Sequence, residues 1–400
     1  MDRGSVSGGT VSSRPATGIP ETESTISHRP RRRLRGVDTA RGVAVLGMVM
    51  VHFGPFPAPD TALGNLYGLS HGRASVLFAL LAGVGVALLT GGRSGGQKSL
   101  TRGRLVLRGA LLLPLGLWLQ DFEHGALVIL QYYAVYFVFV AFVLTLPDRW
   151  LLAGGSAVLV AGPLVYLWGQ TVVPEWYLRG ETASLEDPIS KTADDLLLTG
   201  AYPLVTWAAP LLIGLWIGRR DLASARVRWW LLVLGLAVVV TAAFAADGLS
   251  AAFGGLSGEP RESGFAALLT DQPHRQMPLW MLGSIGSACA VLGGMLLLAD
   301  RLPRATWPLA ATGQLALSVY VGHLLLLAAL PELLKREAVA GAFLTVGVFV
   351  LLTAAVCTLW RAVLPRGPLE AAFSAPWWII ERVVRRLKTG RDGRELGTHR

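Results

Sequence analysis

The stretch that decides the fold lies near the N-terminus and reads LRGVDTARGVAVLGMVMVHFG, from Leu34 to Gly54. Its length and its Val, Leu, Ala and Gly content predict a membrane-crossing helix, because about 20 apolar residues span the hydrocarbon layer. At about 100° per residue, Asp38, Arg41 and His52 fall on one stripe of that helix. Lipid does not accommodate such a stripe, so we expect it to face protein or a water-filled cavity.

This polar stripe has two interpretations at the level of the sequence. Asp38 and Arg41 fit a simple (i, i+3) ion pair at the level of the lipid head groups. That interpretation leaves His52 unexplained, whereas a functional stripe accounts for all three side chains. Both interpretations stay open at this point.

The composition of the whole chain is that of a polytopic membrane protein. Of its 400 residues, 52% are hydrophobic and only 16% are charged, which is more apolar than soluble proteins of this length. We predict an all-α fold, a helical transmembrane bundle of about ten spans. The predicted spans are 37–54, 74–91, 104–121, 125–146, 150–170, 197–218, 229–247, 277–299, 307–330 and 341–362.

The distribution of charge predicts the orientation of this bundle. The formal net charge is +10, and the basic residues cluster in short loops and tails, as expected of cytoplasmic segments. We therefore predict a multi-pass protein of the plasma membrane with both termini cytoplasmic and the lipid bilayer as its partner. Nucleic acid is not expected to bind, and a homo-oligomer is left open. The domains are a disordered basic N-terminal tail at 1–33, a membrane domain at 34–362 and a basic cytoplasmic tail at 363–400.

A second polar group precedes the second span, in the sequence SHGRASVLFALLAGVGVALLTGG. Here His71 and Arg73 are predicted to lie at the outer mouth of the bundle, near His52 at the end of the first span. An imidazole beside a guanidinium can act as a general base with an anion-binding partner. The ordinary alternative is that these side chains anchor a helix end at the interface.

Further histidines occur in other connections and spans. His124 lies in the polar turn QDFEHG, and His274 ends the second long outer loop in DQPHRQMPLW. The ninth span carries Tyr320 and His323 at (i, i+3) spacing, and a histidine inside a span suggests a pore or a proton path. The chain has neither an HxxxH nor an HExxH pattern, and its two cysteines lie in apolar runs, so no metal is expected.

The order of these motifs resembles a known family. Residues 37–44, VDTARGVA, are followed by the pieces HGRASVLFALLAGVG, GAYPLVTWAAPLLIGLWIGRR, PHRQMPLWMLGSIGSA and GQLALSVYVGHLLLL. Together they resemble the heparan-α-glucosaminide N-acetyltransferase catalytic-domain family, and within it the bacterial multi-span proteins grouped beside that enzyme. The resemblance extends over about residues 34 to 335. It implies acetyl transfer from cytosolic acetyl-CoA to an amino sugar across the membrane, with His71 at the position of the active histidine.

Two hypotheses about function follow from these features. In the first, the protein is a membrane acyltransferase that uses acetyl-CoA or another acyl-CoA as co-substrate and modifies a small-molecule or glycan acceptor outside the cell. His71 would be the general base or a transient acyl carrier, and Arg73 and His274 would hold the acceptor or stabilise the oxyanion. Asp38 and Arg41 would contact the CoA entry or lock the first helix. In the second, the protein is a proton-coupled transporter or exporter of a small polar solute. A scaffold without turnover is a third, less specific alternative.

Overall fold

The computed structural model describes residues 34–54, 61–91, 95–172, 182–252, 268–269, 276–330 and 339–395. Every regular element within these ranges is a helix, which confirms the predicted all-α class. In chain order the helices are α1 Arg35–Phe53, α2 Ala62–Gly68, α3 Arg73–Thr90, α4 Gly95–Gln120, α5 Leu130–Val143, α6 Asp148–Val172, α7 Ile189–Asp194, a π-helical turn Asp195–Thr199, α8 Leu204–Gly218, α9 Ala225–Ala252, α10 Pro278–Arg301, α11 Trp307–Gln314, α12 Ala316–Ala329, α13 Val339–Val363 and α14 Pro368–Glu395.

Six of these helices are long and apolar enough to cross a membrane, or up to eight spans if each of two bent helix pairs counts as one. The chain is therefore a multi-pass membrane protein, but the predicted number of about ten spans is not confirmed. The two predicted spans outside that count, 104–121 and 125–146, correspond to α4 and α5. The N-terminal part of α4 carries Arg102, Arg104 and Arg108. Helix α5, with 14 residues, is about 21 Å long, which is shorter than the hydrocarbon layer. The side of the membrane that holds each terminus stays a prediction.

Helix α1 lies inside the bundle and contacts α3, α10, α11, α12 and α13. Its closest approach is to α11, where Gly42 faces the backbone of Leu309 and Gly313 faces the backbone of Asp38. A methyl group at either glycine would overlap the facing carbonyl, so small residues permit direct backbone contact between the two helices. This contact fixes α11 against the part of α1 that carries Asp38 and Arg41.

Helices α11 and α12 form one of the bent pairs, with an angle of 80° between them. A helix that begins inside the bundle leaves its first N–H groups without intrahelical acceptors. The carboxylate of Glu370, in the first turn of α14, accepts the N–H of Leu317 at 2.8 Å and the N–H of Ser318 at 3.1 Å, together with the Ser318 hydroxyl. A side chain from α14 therefore caps α12.

Helix α14 packs on the bundle through its first half. It contacts α4 and α12, and the buried Trp377 lies beside Gly103 of α4. The next residues, Trp378 and Ile379, are exposed. The segment that the sequence assigns to a basic tail thus begins as a helix that is joined to the membrane domain.

We expect Glu370→Ala to destabilise the protein by about 1–3 kcal/mol, because it leaves buried N–H groups of α12 without an acceptor. Glu370→Gln keeps one acceptor oxygen and should cost less. The measurement is unfolding in detergent as a function of temperature or denaturant. The control is Glu186→Gln, since Glu186 is exposed and such substitutions change stability by no more than about 0.5 kcal/mol. Equal stability of Glu370→Ala and the control would contradict the capping role.

Candidate active site

The structure brings together two histidines that are 271 residues apart in the chain. His52, in the last turn of α1, and His323, in α12, approach each other with 2.9 Å between His52 Nδ1 and His323 Nε2. Their rings are stacked, with centroids 5.2 Å apart and an angle of 9° between the planes. His323 is buried and His52 is partly buried, so the pair lies inside the bundle at the end of α1.

The hydrogen bonds of this pair determine which of the ring nitrogens carry protons. His323 Nδ1 lies 3.1 Å from the carbonyl oxygen of Val319, and a carbonyl only accepts, so this nitrogen carries the proton. Nε2 of neutral His323 is then an acceptor, and Nδ1–H of His52 donates to it. The lone pair of neutral His52 is consequently on Nε2. His52 is therefore arranged as a base, and His323 orients its ring and tautomer.

Tyr320 lies beside this pair and links it to the segment between α4 and α5. Its ring stands edge-on to His323, with centroids 5.2 Å apart. Its hydroxyl accepts the N–H of Ile129 at 3.1 Å, and the side chain is almost completely buried. Tyr320 thus fixes the position of His323 and holds the segment 121–129 against α12.

His124 has both ring nitrogens bound to backbone of its own segment. Nε2 lies 2.8 Å from the carbonyl of Leu119, and Nδ1 accepts the N–H of Ala126 at 3.1 Å. The ring is therefore neutral, with its proton on Nε2. Burial lowers the pKa of His124, and the bond to the Leu119 carbonyl offsets this only in part. The arrangement gives His124 a structural role at the end of α4, which sequence reasoning did not distinguish from a catalytic one.

His71 and Arg73 have different neighbours in the structure. His71 is buried and packs edge-on to Tyr67, with ring centroids 4.8 Å apart, while the Tyr67 hydroxyl donates to the carbonyl of Met50 in α1 at 3.3 Å. Arg73 instead lines a shallow cavity between α9 and α10, together with Trp280 and others. His71 therefore adjoins the end of α1 that carries His52. His274 lies outside the described residues, and the roles predicted for all three stay predictions.

The predicted (i, i+3) pair of α1 is present and extends across three helices. Arg41 Nη1 lies 3.2 Å from Asp38 Oδ1, and Gln314 Nε2 donates to Asp38 Oδ2 at 3.2 Å. Arg361 in α13 donates in turn from Nε to the Gln314 Oε1 at 2.7 Å. Asp38 is 5% exposed, so this network holds α1, α11 and α13 together within the bundle.

One tyrosine is within electrostatic range both of this network and of a neighbour of the histidine pair. Tyr133 of α5 is within electrostatic range of Arg41, of Arg108 in α4 and of Tyr320. Arg41 and His52 lie on the same face of α1, eleven residues or about 17 Å apart along its axis. Among the residues that the structure describes, no group of three or more His, Cys, Asp or Glu side chains is arranged to hold a metal ion.

Sequence reasoning missed Arg108, whose guanidinium lies over the ring of Phe137, and three residues that reach into the bundle: Tyr133, Arg361 and Glu370. Tyr133 and Arg361 lie in or at the end of apolar runs, where a single polar residue is a weak signal for function. Glu370 follows the last predicted span and looks like part of a solvated tail. Only the folded arrangement shows that all three reach into the bundle.

Comparison with known protein families gives a match over the second part of the chain. A family model described as an acyltransferase domain matches residues 126–361, which is more than half of the chain. This region contains Tyr133, Tyr320 and His323, while Asp38, Arg41 and His52 precede it. No curated protein matches the chain. This match supports an acyltransferase family in general. It does not confirm the narrower resemblance to heparan-α-glucosaminide N-acetyltransferases.

The neutral state of buried His124 predicts a pH dependence of stability. An unfolded histidine has a pKa of about 6.5, and folding lowers it, so the contribution of His124 is present above that pH and decreases as the pH falls below it. We expect the thermal midpoint of the wild type in detergent to fall more steeply between pH 7.5 and 5.5 than that of His124→Gln. Parallel curves for the two proteins would contradict the assignment.

Proposed function

Since this chain belongs to the acyltransferase domain family, we propose that it transfers an acyl group from acetyl-CoA or another acyl-CoA in the cytoplasm to a sugar or other cell-envelope acceptor outside the plasma membrane. The observation that carries this proposal is the pair of His52 and His323, in which His52 is arranged as a base. His52 lies on the same face of α1 as Arg41, the cation toward the other end of this helix.

The reaction requires a base next to the acceptor. Nε2 of His52 takes the proton from the acceptor hydroxyl or amine as this group attacks the thioester carbonyl. A new bond forms between the acyl carbon and the acceptor, and the bond between carbon and sulfur breaks. The proton then passes from His52 to the departing thiolate, and the histidine returns to its neutral state. Throughout, His323 accepts the hydrogen bond from Nδ1–H of His52 and stabilises the imidazolium.

The other end of α1 suits the anionic part of the acyl donor. Arg41 and Arg108 supply guanidinium groups that match phosphate oxygens, and they are within electrostatic range of each other. In acyl-CoA the phosphates and the thioester lie at opposite ends of an extended arm. The separation of about 17 Å along α1 between Arg41 and His52 is consistent with a donor of that shape entering from the Asp38 end.

The acceptor would bind at the His52 end of the bundle. We assign the base to His52, because its hydrogen bond with His323 fixes its tautomer. His71 packs on Tyr67 beside the end of α1, and we place it, with Arg73 and His274, among the residues that hold the acceptor. Under the positive-inside prediction, this end faces outward.

Proton-coupled export of a small polar solute is the alternative function. It rests on the same observation, since two hydrogen-bonded histidines inside a bundle can carry a proton. Acyl transfer requires binding of acyl-CoA, whereas export does not. The two functions are therefore separated by an experiment that follows the acyl group.

The test uses sealed inside-out vesicles with labelled acetyl-CoA outside and an amino sugar trapped in the lumen. We expect label in the lumenal sugar, with a loss of about 10²–10⁴-fold in His52→Ala, because a general base contributes a factor of this size. His323→Ala should lose less, since it removes the partner of the base and not the base. His124→Gln is the histidine control and should retain transfer at pH 7.5.

Two results would contradict this assignment. Full transfer by His52→Ala together with loss in His71→Ala would move the base to His71. Absence of both transfer and CoA binding in well-folded wild type would reject acyl-CoA as the donor and favour export.

A further inference from the structure

Helix α5 carries three buried tyrosines that differ in their hydrogen bonds. The hydroxyl of Tyr132 accepts the N–H of Ala201 at 3.1 Å, and that of Tyr136 donates to the carbonyl of Tyr202 at 2.6 Å. Tyr133 is only 4% exposed. Its hydroxyl is buried like the other two but has no hydrogen-bond partner among the described residues.

A buried hydroxyl without a partner is unfavourable, because it gives up hydrogen bonds to water and gains none in return. Most buried polar groups in folded proteins are satisfied, so each exception requires an explanation. Phenylalanine would fill the same volume at this position without that cost. The hydroxyl of Tyr133 is therefore better explained by a ligand than by the packing of α5.

The surroundings of Tyr133 define the chemistry of such a ligand. Its ring packs beside Phe78 of α3 and Phe137 of α5, with centroids 5.2 Å and 6.0 Å away. The guanidinium of Arg108 lies over the ring of Phe137, 5.0 Å from its centroid. An apolar wall with one hydroxyl donor and cations within electrostatic range suits a chain of methylenes that carries a carbonyl and ends in an anion.

We propose that the hydroxyl of Tyr133 donates a hydrogen bond to an amide carbonyl in the arm of the acyl-CoA donor. This inference rests on the proposed function and adds a residue that binds the middle of the donor. The phosphates would meet Arg41 and Arg108, and the thioester would reach His52. Tyr133 lies within electrostatic range of both arginines and of Tyr320, the neighbour of His323.

The test compares Tyr133→Phe with the matched variant Tyr136→Phe. Without ligand, Tyr133→Phe should be as stable as the wild type or more stable, because it removes no hydrogen bond of the free protein. Its KM for acetyl-CoA and its Kd for CoA should rise about tenfold, or ~1.4 kcal/mol, with kcat nearly unchanged. Tyr136→Phe should be less stable, because the carbonyl of Tyr202 loses its donor, and its KM should match the wild type.

The outcomes separate this inference from the proposed function. If the wild type binds CoA and Tyr133→Phe binds it equally well, the role of Tyr133 is rejected while acyl transfer stands. If Tyr133→Phe loses as much stability as Tyr136→Phe, the hydroxyl is structural and the inference is likewise rejected. If the wild type neither binds CoA nor transfers label, both the function and this inference are overturned.

Discussion

The fold depends on the hydrogen bonds that the backbone makes where α11 ends and α12 begins. Inside a membrane no water is present to bind the N–H groups that a broken helix exposes, so an irregular backbone requires protein partners. Glu370 provides them for Leu317 and Ser318. The 80° bend that this cap permits changes the direction of the chain before His323. Without the bend, a continuous helix would place His323 at a different distance from α1. The contact between His323 and His52 would then not form in its present geometry.

The balance of charge near the Asp38 end of α1 explains why this region would receive an anion. Asp38 accepts hydrogen bonds at both oxygens, from Arg41 and from Gln314. Arg361 binds the same glutamine, and Arg108 is within electrostatic range of Glu370. Arg104 is also within electrostatic range of Arg108, so the arginines of this region outnumber its two carboxylates. The excess charge is positive, so an anionic ligand improves the electrostatic balance and a cationic one worsens it.

The sequence predicted the helical class, the membrane location and the polar stripe of α1, because these follow from composition and from the period of a single helix. It also identified His52 and His323 one by one, since a histidine in an apolar run is conspicuous. It did not predict their contact, which depends on the angle between α11 and α12 and on the close approach of α11 to Gly42. Tyr133 shows the same limit, because its missing hydrogen bond is visible only when the partners of Tyr132 and Tyr136 are known. The number of spans did not follow from the sequence in the same way. Helix α5 is short and the N-terminal part of α4 is basic, so these two helices differ from an ordinary span.

The direction of hydrogen bonds in the histidine pair favours acyl transfer over a proton path. A proton that arrives on Nε2 of His52 can move through Nδ1–H to Nε2 of His323. From there Nδ1–H of His323 donates to the backbone carbonyl of Val319. A backbone carbonyl is not a base that takes the proton onward, so this hydrogen bond does not continue a proton path. A pair of this kind takes up a proton and returns it on the side where it was received, as a general base must when it deprotonates an acceptor and then reprotonates a leaving thiolate.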